Sequence, residues 1–192
     1  MYVFFITLHV VFLRVVGSAL NTYSINFKGL KLGKHSFEFD LNDAFFQEFE
    51  EGEISRGQLK ANVLLNKQNH LLEFSVSIKG SVQVVCDRCL EAFILPTTFK
   101  GVLFAKIGTQ VEESNDEIIF LTEEDHEVNL AQYLYESVCL SLPIKRYHGL
   151  NGTNAGDCDK EMLAKMNVAG ENYSTEDEID PRWAALKKLK NN

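Results

Sequence analysis

Four residues of this chain have the types and spacing that can hold a metal ion or exchange electrons. Cys86 and Cys89 form a Cys-x2-Cys pair in the stretch VVCDRCLEAF, and His148 and Cys158 bound the later stretch HGLNGTNAGDC. Cysteine sulfur and histidine nitrogen are the usual ligands of Zn²⁺ in structural sites, which are tetrahedral and closed. The sequence therefore supports a structural zinc site, provided that the fold brings the two distant halves together.

Two other interpretations of the cysteine pair stay open. A redox dithiol normally opens a helix among alternating strands and helices, whereas this pair follows a strand hairpin. Only Arg88, between the two cysteines, could lower a neighbouring thiol pKa. Alternatively, Cys86 and Cys89 are half-buried residues at a strand end, with His148 in solvent. The local motif alone does not choose among the three interpretations.

The elements that must position these residues follow from hydrophobic periodicity. Between Leu59 and Ile78, apolar residues alternate with polar ones on both sides of the turn KQNH, which predicts a half-buried antiparallel hairpin. Gly80 predicts a bulge or bend just after it. The stretch NLAQYLYESVCLSLP predicts a helix that begins with a capping box of Asn129 and Gln132. We therefore predict an α+β fold: a curved antiparallel β-sheet with helices packed on one face and a short C-terminal helix.

Composition divides the chain into four parts. Residues 1–20 form a hydrophobic extension, 21–168 a single α+β domain, 169–180 a polar linker and 181–192 a C-terminal helix. The extension favours an over-extended start rather than a signal peptide, because no Lys or Arg precedes its apolar run and Arg14 interrupts it. A signal peptide would instead place the cysteines where they pair as disulfides.

Charge limits the partners that the chain can bind. A formal net charge of −8 excludes a general basic surface for nucleic acid, so any contact with phosphates must be local. The segment from 112 to 127 holds eight carboxylates and no Lys or Arg, which indicates a solvated loop or a contact for a basic protein. The candidate residues for RNA or partner binding are Arg88, Lys145, Arg146, Arg182, Trp183, Lys187 and Lys188.

Several stretches, in this order, resemble the YceD family of large ribosomal RNA subunit accumulation proteins. They are FKGLKLGKHSFEFDL, IKGSVQVVCDRCLEAF, LYESVCLSLPIKRYH, the later Cys158 and IDPRWAALKKLK. The resemblance implies a non-enzymatic cytoplasmic factor that supports accumulation of 23S rRNA and assembly of the large ribosomal subunit. The implied partner is an rRNA precursor, a basic ribosomal protein or both, with no membrane and no small-molecule substrate. The hydrophobic extension departs from the family pattern.

The residues themselves leave two alternatives to an assembly factor. One is a dithiol redox protein that uses Cys86 and Cys89, and the other is a secreted binding module with paired cysteines. The sequence contains no nucleophile elbow, no phosphate-binding glycine loop and no calcium-loop spacing. We therefore predict no catalytic residue, with structural zinc as the one candidate cofactor.

Overall fold

The computed structural model describes residues 18–49, 52–108 and 118–171 of the chain. The strands in these ranges are β1 Ser24–Asn26, β2 Gly33–Leu41, β3 Gly57–Lys67, β4 Leu71–Val85, β5 Ala92–Ile107, β6 Ile118–Leu121 and β7 Glu127–Asn129. The α-helices there are α1 Asp43–Gln47, α2 Ala131–Leu140 and α3 Lys160–Glu171. Short 3-10 turns lie at Ser18–Tyr23, Leu150–Gly152 and Ala155–Asp157.

The main sheet has five strands in the order β2-β3-β4-β5-β6. Strands β2 to β5 pair antiparallel with their neighbours, whereas β6 joins the edge parallel to β5. Strands β1 and β7 form a separate antiparallel pair. The predicted α+β class is confirmed, and the parallel edge is an addition that residue alternation could not indicate.

The alternation in β3 and β4 determines which face of the sheet is buried. Every second side chain is buried from Leu59 to Leu65 in β3 and from Leu72 to Ile78 in β4, because the side chains of a strand point alternately to opposite faces. Burying one large aliphatic or aromatic side chain contributes roughly 1.5–3 kcal/mol, so a one-residue slip would lose many such contributions. The buried set is Leu59, Ala61, Val63, Leu65, Leu72, Phe74, Val76 and Ile78.

Of the bulge or bend predicted at Gly80, the bulge is not found, because β3 and β4 stay in one-to-one register with Leu59 opposite Gly80. Glycine is required at this position because the backbones of β3 and β4 approach each other closely. A Cβ atom there would lie 2.2 Å from the backbone oxygen of Gln58 and 2.6 Å from Cα of Leu59. Strand β4 therefore runs straight through this position to Val85, the residue before Cys86.

Helix α2 and the first 3-10 turn pack on the buried face of the sheet. Tyr23 contacts Phe39 of β2, with ring centroids 5.7 Å apart. Tyr133 of α2 contacts Phe99 of β5 edge-on, with centroids 6.4 Å apart. Phe39 and Phe99 share this face with the buried residues of β3 and β4, since Phe39 pairs with Ala61 and Phe99 with Ile78. This arrangement agrees with the predicted packing of helices on one face.

The start of α2 differs from the predicted capping box. The Asn129 side chain accepts a hydrogen bond from the backbone nitrogen of Ala131, at 2.8 Å. Gln132, however, donates forward to Glu136 at 2.6 Å instead of reaching back to the cap. A pair four residues apart lies on one side of a helix, so this interaction competes directly with the capping box.

The predicted domain limits fall partly outside the described residues. Leu20 is buried in the core, whereas residues 1–17 of the predicted extension are not described. Helix α3 continues to Glu171, past the limit predicted at 168. Most of the predicted linker and the whole predicted C-terminal helix lie outside the described residues. Among the described helices, none is both long and apolar enough to cross a membrane.

Candidate metal centre

Three segments from distant parts of the chain meet at the tip of the β4–β5 hairpin. Cys86 directly follows β4, and Cys89 lies shortly before β5, so the Cys-x2-Cys stretch is the turn of this hairpin. His148 lies in the loop after α2, and Cys158 directly follows the 3-10 turn Ala155–Asp157. The sequence placed the cysteine pair at a strand end, and pairing of β4 with β5 makes that end a hairpin tip.

Backbone hydrogen bonds fold the tip into a compact turn. The nitrogen of Cys86 donates to the oxygen of Glu91 at 2.9 Å, and the nitrogen of Leu90 donates to the oxygen of Cys86 at 2.9 Å. Leu90 closes the turn in a left-handed conformation with a φ of 63°. The chain therefore reverses direction right after Cys89, which keeps the Cys86 and Cys89 sulfurs within 4.8 Å of each other.

A second pair of hydrogen bonds joins this turn to the loop that carries His148. The Asp87 nitrogen donates to the Arg146 oxygen at 2.7 Å, and the Arg146 nitrogen donates to the Asp87 carboxylate at 2.6 Å. The Arg146 guanidinium also contacts the Glu53 carboxylate. These contacts fix the loop two residues before His148, whose Nδ1 lies 3.5 Å from the Cys89 sulfur.

The geometry of the four side chains fits a tetrahedral zinc site. Their ligand atoms all lie within 4.8 Å of one another, and the Cys86 and Cys158 sulfurs are 3.9 Å apart. Ordinary zinc bond lengths at the tetrahedral angle place two sulfurs about 3.8 Å apart, and a sulfur and a nitrogen about 3.6 Å apart. Three sulfurs and one imidazole nitrogen also form a donor set that suits zinc rather than calcium or magnesium.

Because all four side chains are buried, the cluster has the closed form of a structural site and not the open form of a catalytic site. The exposed fractions are 0% for Cys86, 4% for Cys89 and 6% each for His148 and Cys158. The Phe93 ring covers His148, with centroids 4.6 Å apart. A catalytic zinc site keeps one position for water or substrate, whereas four protein ligands fill all positions of a structural site.

The thiols of the cluster differ in acidity. Burial alone raises the pKa of Cys86, but hydrogen bonds from the backbone of Cys89, Arg88 and His148 outweigh burial and lower this pKa to about 6. Burial, together with the Cys89 and Cys86 sulfurs, raises the pKa of Cys158 to about 12. A cation at the centre would favour removal of the remaining protons, because metal ligands bind as thiolates.

The redox interpretation has one feature in its favour and two against it. The lowered pKa of Cys86 is what a reactive thiol requires. Its sulfur, however, is fully buried, and the pair forms a hairpin turn instead of opening a helix. Reactive cysteines are partly exposed, so the surroundings of Cys86 favour a structural role. All four cysteines of the chain are free thiols in the structure.

The candidate RNA-binding residues are only partly within the described ranges. Arg88 is exposed, with its guanidinium stacked 4.1 Å from the centroid of the Tyr147 ring. Lys145 is exposed as well, whereas Arg146 is half-buried and paired with Glu53, so it is less free to contact a partner than the sequence indicated. Four candidates lie outside the described residues, namely Arg182, Trp183, Lys187 and Lys188.

The tip also offers a test of local strain. Leu90 is 67% exposed and left-handed, a conformation that costs a non-glycine residue about 1–2 kcal/mol. We expect Leu90→Gly to leave the free energy of unfolding unchanged or to raise it by up to about 1 kcal/mol, since glycine also gains entropy when unfolded. Urea unfolding should show this, with Leu95→Gly as the contrasting buried variant. A loss above about 2 kcal/mol for Leu90→Gly would contradict the strain argument.

The fold and the cluster together define an α+β protein in which four buried soft ligands join a hairpin tip to a distant loop. A family model described as large ribosomal RNA subunit accumulation protein YceD matches residues 74–190. Because this match covers more than half of the chain, the chain belongs to the YceD family, which confirms the resemblance seen in the sequence. Comparisons with curated proteins and with solved structures gave no match.

Proposed function

We propose that this chain is a non-enzymatic cytoplasmic factor that supports accumulation of 23S rRNA and assembly of the large ribosomal subunit. It does so by binding precursor RNA, a ribosomal protein or both. The description of the family supports a role in the accumulation of large-subunit ribosomal RNA. The observation that favours a binding role over metal catalysis is the closed, buried cluster of Cys86, Cys89, His148 and Cys158. Four protein ligands would leave no coordination position on a bound metal for a substrate.

Zinc is the cofactor that this proposal assigns to the cluster. The two 3-10 turns between His148 and Cys158 contain no fully buried residue, and Leu150 is their one side chain packed against the core, so hydrophobic packing gives this loop limited stability. A metal bound at both ends of the loop would add to that stability, because binding energy at a structural zinc site is also folding energy. The metal would thus shape the surface around the hairpin tip.

Arg88 and Lys145 are the proposed contacts for phosphate within the described part of the chain. Both are exposed on segments that the backbone pair of Asp87 and Arg146 holds together. The stacking of Arg88 on Tyr147 holds the guanidinium in place and so reduces the entropy lost on binding. Two positive groups are few, which agrees with a local contact in a chain of net charge −8.

Cells that lack the protein should accumulate less 23S rRNA relative to 16S rRNA, and the native protein should sediment with large-subunit precursors at low salt. The purified protein should bind a 23S fragment, and Arg88→Ala with Lys145→Ala should reduce the slope of log affinity against log salt by about 2. The matched control is Lys34→Ala with Lys79→Ala, two exposed sheet lysines. Normal 23S rRNA in the deletion strain would rule out the proposed function.

A further inference from the structure

A pocket of about 640 Å³ opens beside the cluster, and neither the metal ligands' own bonds nor the proposed phosphate contacts account for it. The lining includes three apolar residues at the start of β5, namely Ala92, Phe93 and Ile94. Ala92 and Ile94 are exposed on the outer face of the strand, whereas Phe93 lies on the buried face beside His148. Two carboxylates, of Glu91 and Asp157, line the same pocket, and none of the described residues that line it is Lys or Arg. A pocket lined by apolar residues and by carboxylates without a cationic partner suits a long cationic side chain, such as that of Lys or Arg.

Exposed aliphatic residues of the hairpin tip lie near the pocket residue Ile94 in the β4–β5 hairpin. Ile94 is 57% exposed, Val85 is 53% exposed, and Leu90 between them is 67% exposed. Val85 and Ile94 share one face of the hairpin, because Val85 pairs with Ala92 and Gln83 pairs with Ile94. Clustered exposed apolar side chains beside charged ones indicate a surface that contacts another protein.

The charge of the pocket selects the kind of partner. Within the described part of the chain, the Glu91 carboxylate has no hydrogen bond or ion pair, and that of Asp157 accepts one hydrogen bond, from Asn154 at 2.8 Å. Both residues are exposed, so they repel phosphate and attract Lys or Arg. Such a side chain would lay its aliphatic stem along the exposed Ile94 and turn its charged group to the carboxylates.

We propose that this pocket binds a lysine or arginine side chain of a basic protein, with Val85, Leu90 and Ile94 as the surrounding apolar contact. The partner we propose is a basic protein of the large ribosomal subunit, an assignment that rests on the proposed function. The pocket and the exposed pair Arg88 and Lys145 then divide the tip into a protein contact and a phosphate contact. With both contacts occupied, the chain would hold an RNA segment next to the basic protein.

Reversing charge in the pocket distinguishes the two classes of partner by the sign of the effect. The probe is the mixture of RNA-free proteins released from large subunits by lithium chloride, with 23S rRNA as a second probe. We expect Glu91→Lys and Ile94→Arg each to weaken retention of the protein probe by about tenfold, with the retained proteins identified by mass spectrometry. Added positive charge would instead strengthen binding if RNA occupied the pocket.

The controls place the same changes elsewhere on the surface. Glu127→Lys reverses an exposed carboxylate of β7, and Val102→Arg alters an exposed residue on the outer face of β5, about 26 Å along the strand from Ile94. Both should bind the protein probe within about twofold of the original chain. Zinc content and thermal unfolding of every variant show that the fold is intact.

Two results would overturn the inference. One is unchanged or stronger protein binding by Glu91→Lys, and the other is failure of the original chain to retain any protein of the mixture. Either could occur while the protein still sediments with large-subunit precursors and the deletion strain still accumulates less 23S rRNA. In that case the proposed function stands, and only the assignment of the pocket to a basic protein is wrong.

Discussion

Cys158→Ser is expected to lower bound zinc from about one ion per chain to near zero and the free energy of unfolding by roughly 3 kcal/mol or more. Serine is a poor ligand for zinc, and Cys158 is the anchor at the far end of a loop whose 3-10 turns bury no residue. For a chain of this size, such a loss lowers the melting temperature by about 6–12 °C. Metal analysis and calorimetry measure the two effects.

Cys139→Ser is the matched control for this substitution. Cys139 lies on α2, is half-buried and does not belong to the four-residue cluster. Its replacement should keep the zinc and cost about 1 kcal/mol or less. If Cys158→Ser kept both its zinc and its stability, or if the original protein bound no metal, the cluster would be three packed thiols and an imidazole. The hairpin tip would then need another source of order.

Gly80→Ala is expected to destabilise the protein by about 3 kcal/mol or more, although it adds a single methyl group. The new Cβ would lie 2.2 Å from the Gln58 oxygen and 2.6 Å from Cα of Leu59, and both are backbone atoms that cannot rotate away. The strands β3 and β4 would have to separate near the middle of the sheet. Denaturant unfolding gives the loss directly, and hydrogen exchange should increase first around this pair of residues.

Gly29→Ala provides the comparison, because a Cβ there meets no atom within 4 Å and its backbone is not left-handed. This change should leave stability within about 0.5 kcal/mol or increase it slightly by restricting the unfolded chain. Equal effects at the two glycines would show that the approach of β3 to β4 is looser than the structure has it. Zinc content should stay unchanged in Gly29→Ala.

The three interpretations of the cysteine pair now carry unequal support. Residues Cys86 and Cys89 are buried, and His148, which one interpretation placed in solvent, is 6% exposed and faces the Cys89 sulfur. The redox interpretation retains the lowered pKa of Cys86 but lacks exposure of its sulfur. A closed site is the interpretation that accounts for both burial and the mutual approach of all four ligand atoms.

Two local predictions differ from the structure because another contact takes the place of the expected one. Gly80 carries the sequence signal of a bulge, yet an adjacent strand, and not a change of register, explains the glycine. Gln132 has the correct spacing for a capping box, but Glu136 four residues later takes its side chain. Arg146 stays a candidate for RNA or partner binding, and its guanidinium is paired with Glu53, which is distant in the chain. Spacing in the sequence cannot indicate the contacts of Gly80 and Arg146, because their partners are distant in the chain.

Tyr147, Asp87 and the Glu91 pocket were missed for the same reason. Tyr147 stacks with Arg88 only because the loop after α2 folds against the hairpin tip. Asp87 accepts a hydrogen bond from Arg146 for the same reason. No residue type or interval marks these partners in advance. The exposed aliphatic residues of the hairpin tip gave one signal that could have been used, since Val85 and Ile94 fall on the outward positions of their strands.

The sequence by itself determined the strand hairpin of β3 and β4, the α+β class and the four residues able to hold zinc. Periodicity and ligand chemistry are properties of neighbouring residues and of side-chain types, so the chain alone specifies them. Only the tertiary structure decided that Cys86 and Cys158, 72 residues apart, lie 3.9 Å from each other and that β6 runs parallel to β5. Those contacts depend on the path of the whole chain, because loop closure and packing bring together residues that no local pattern connects.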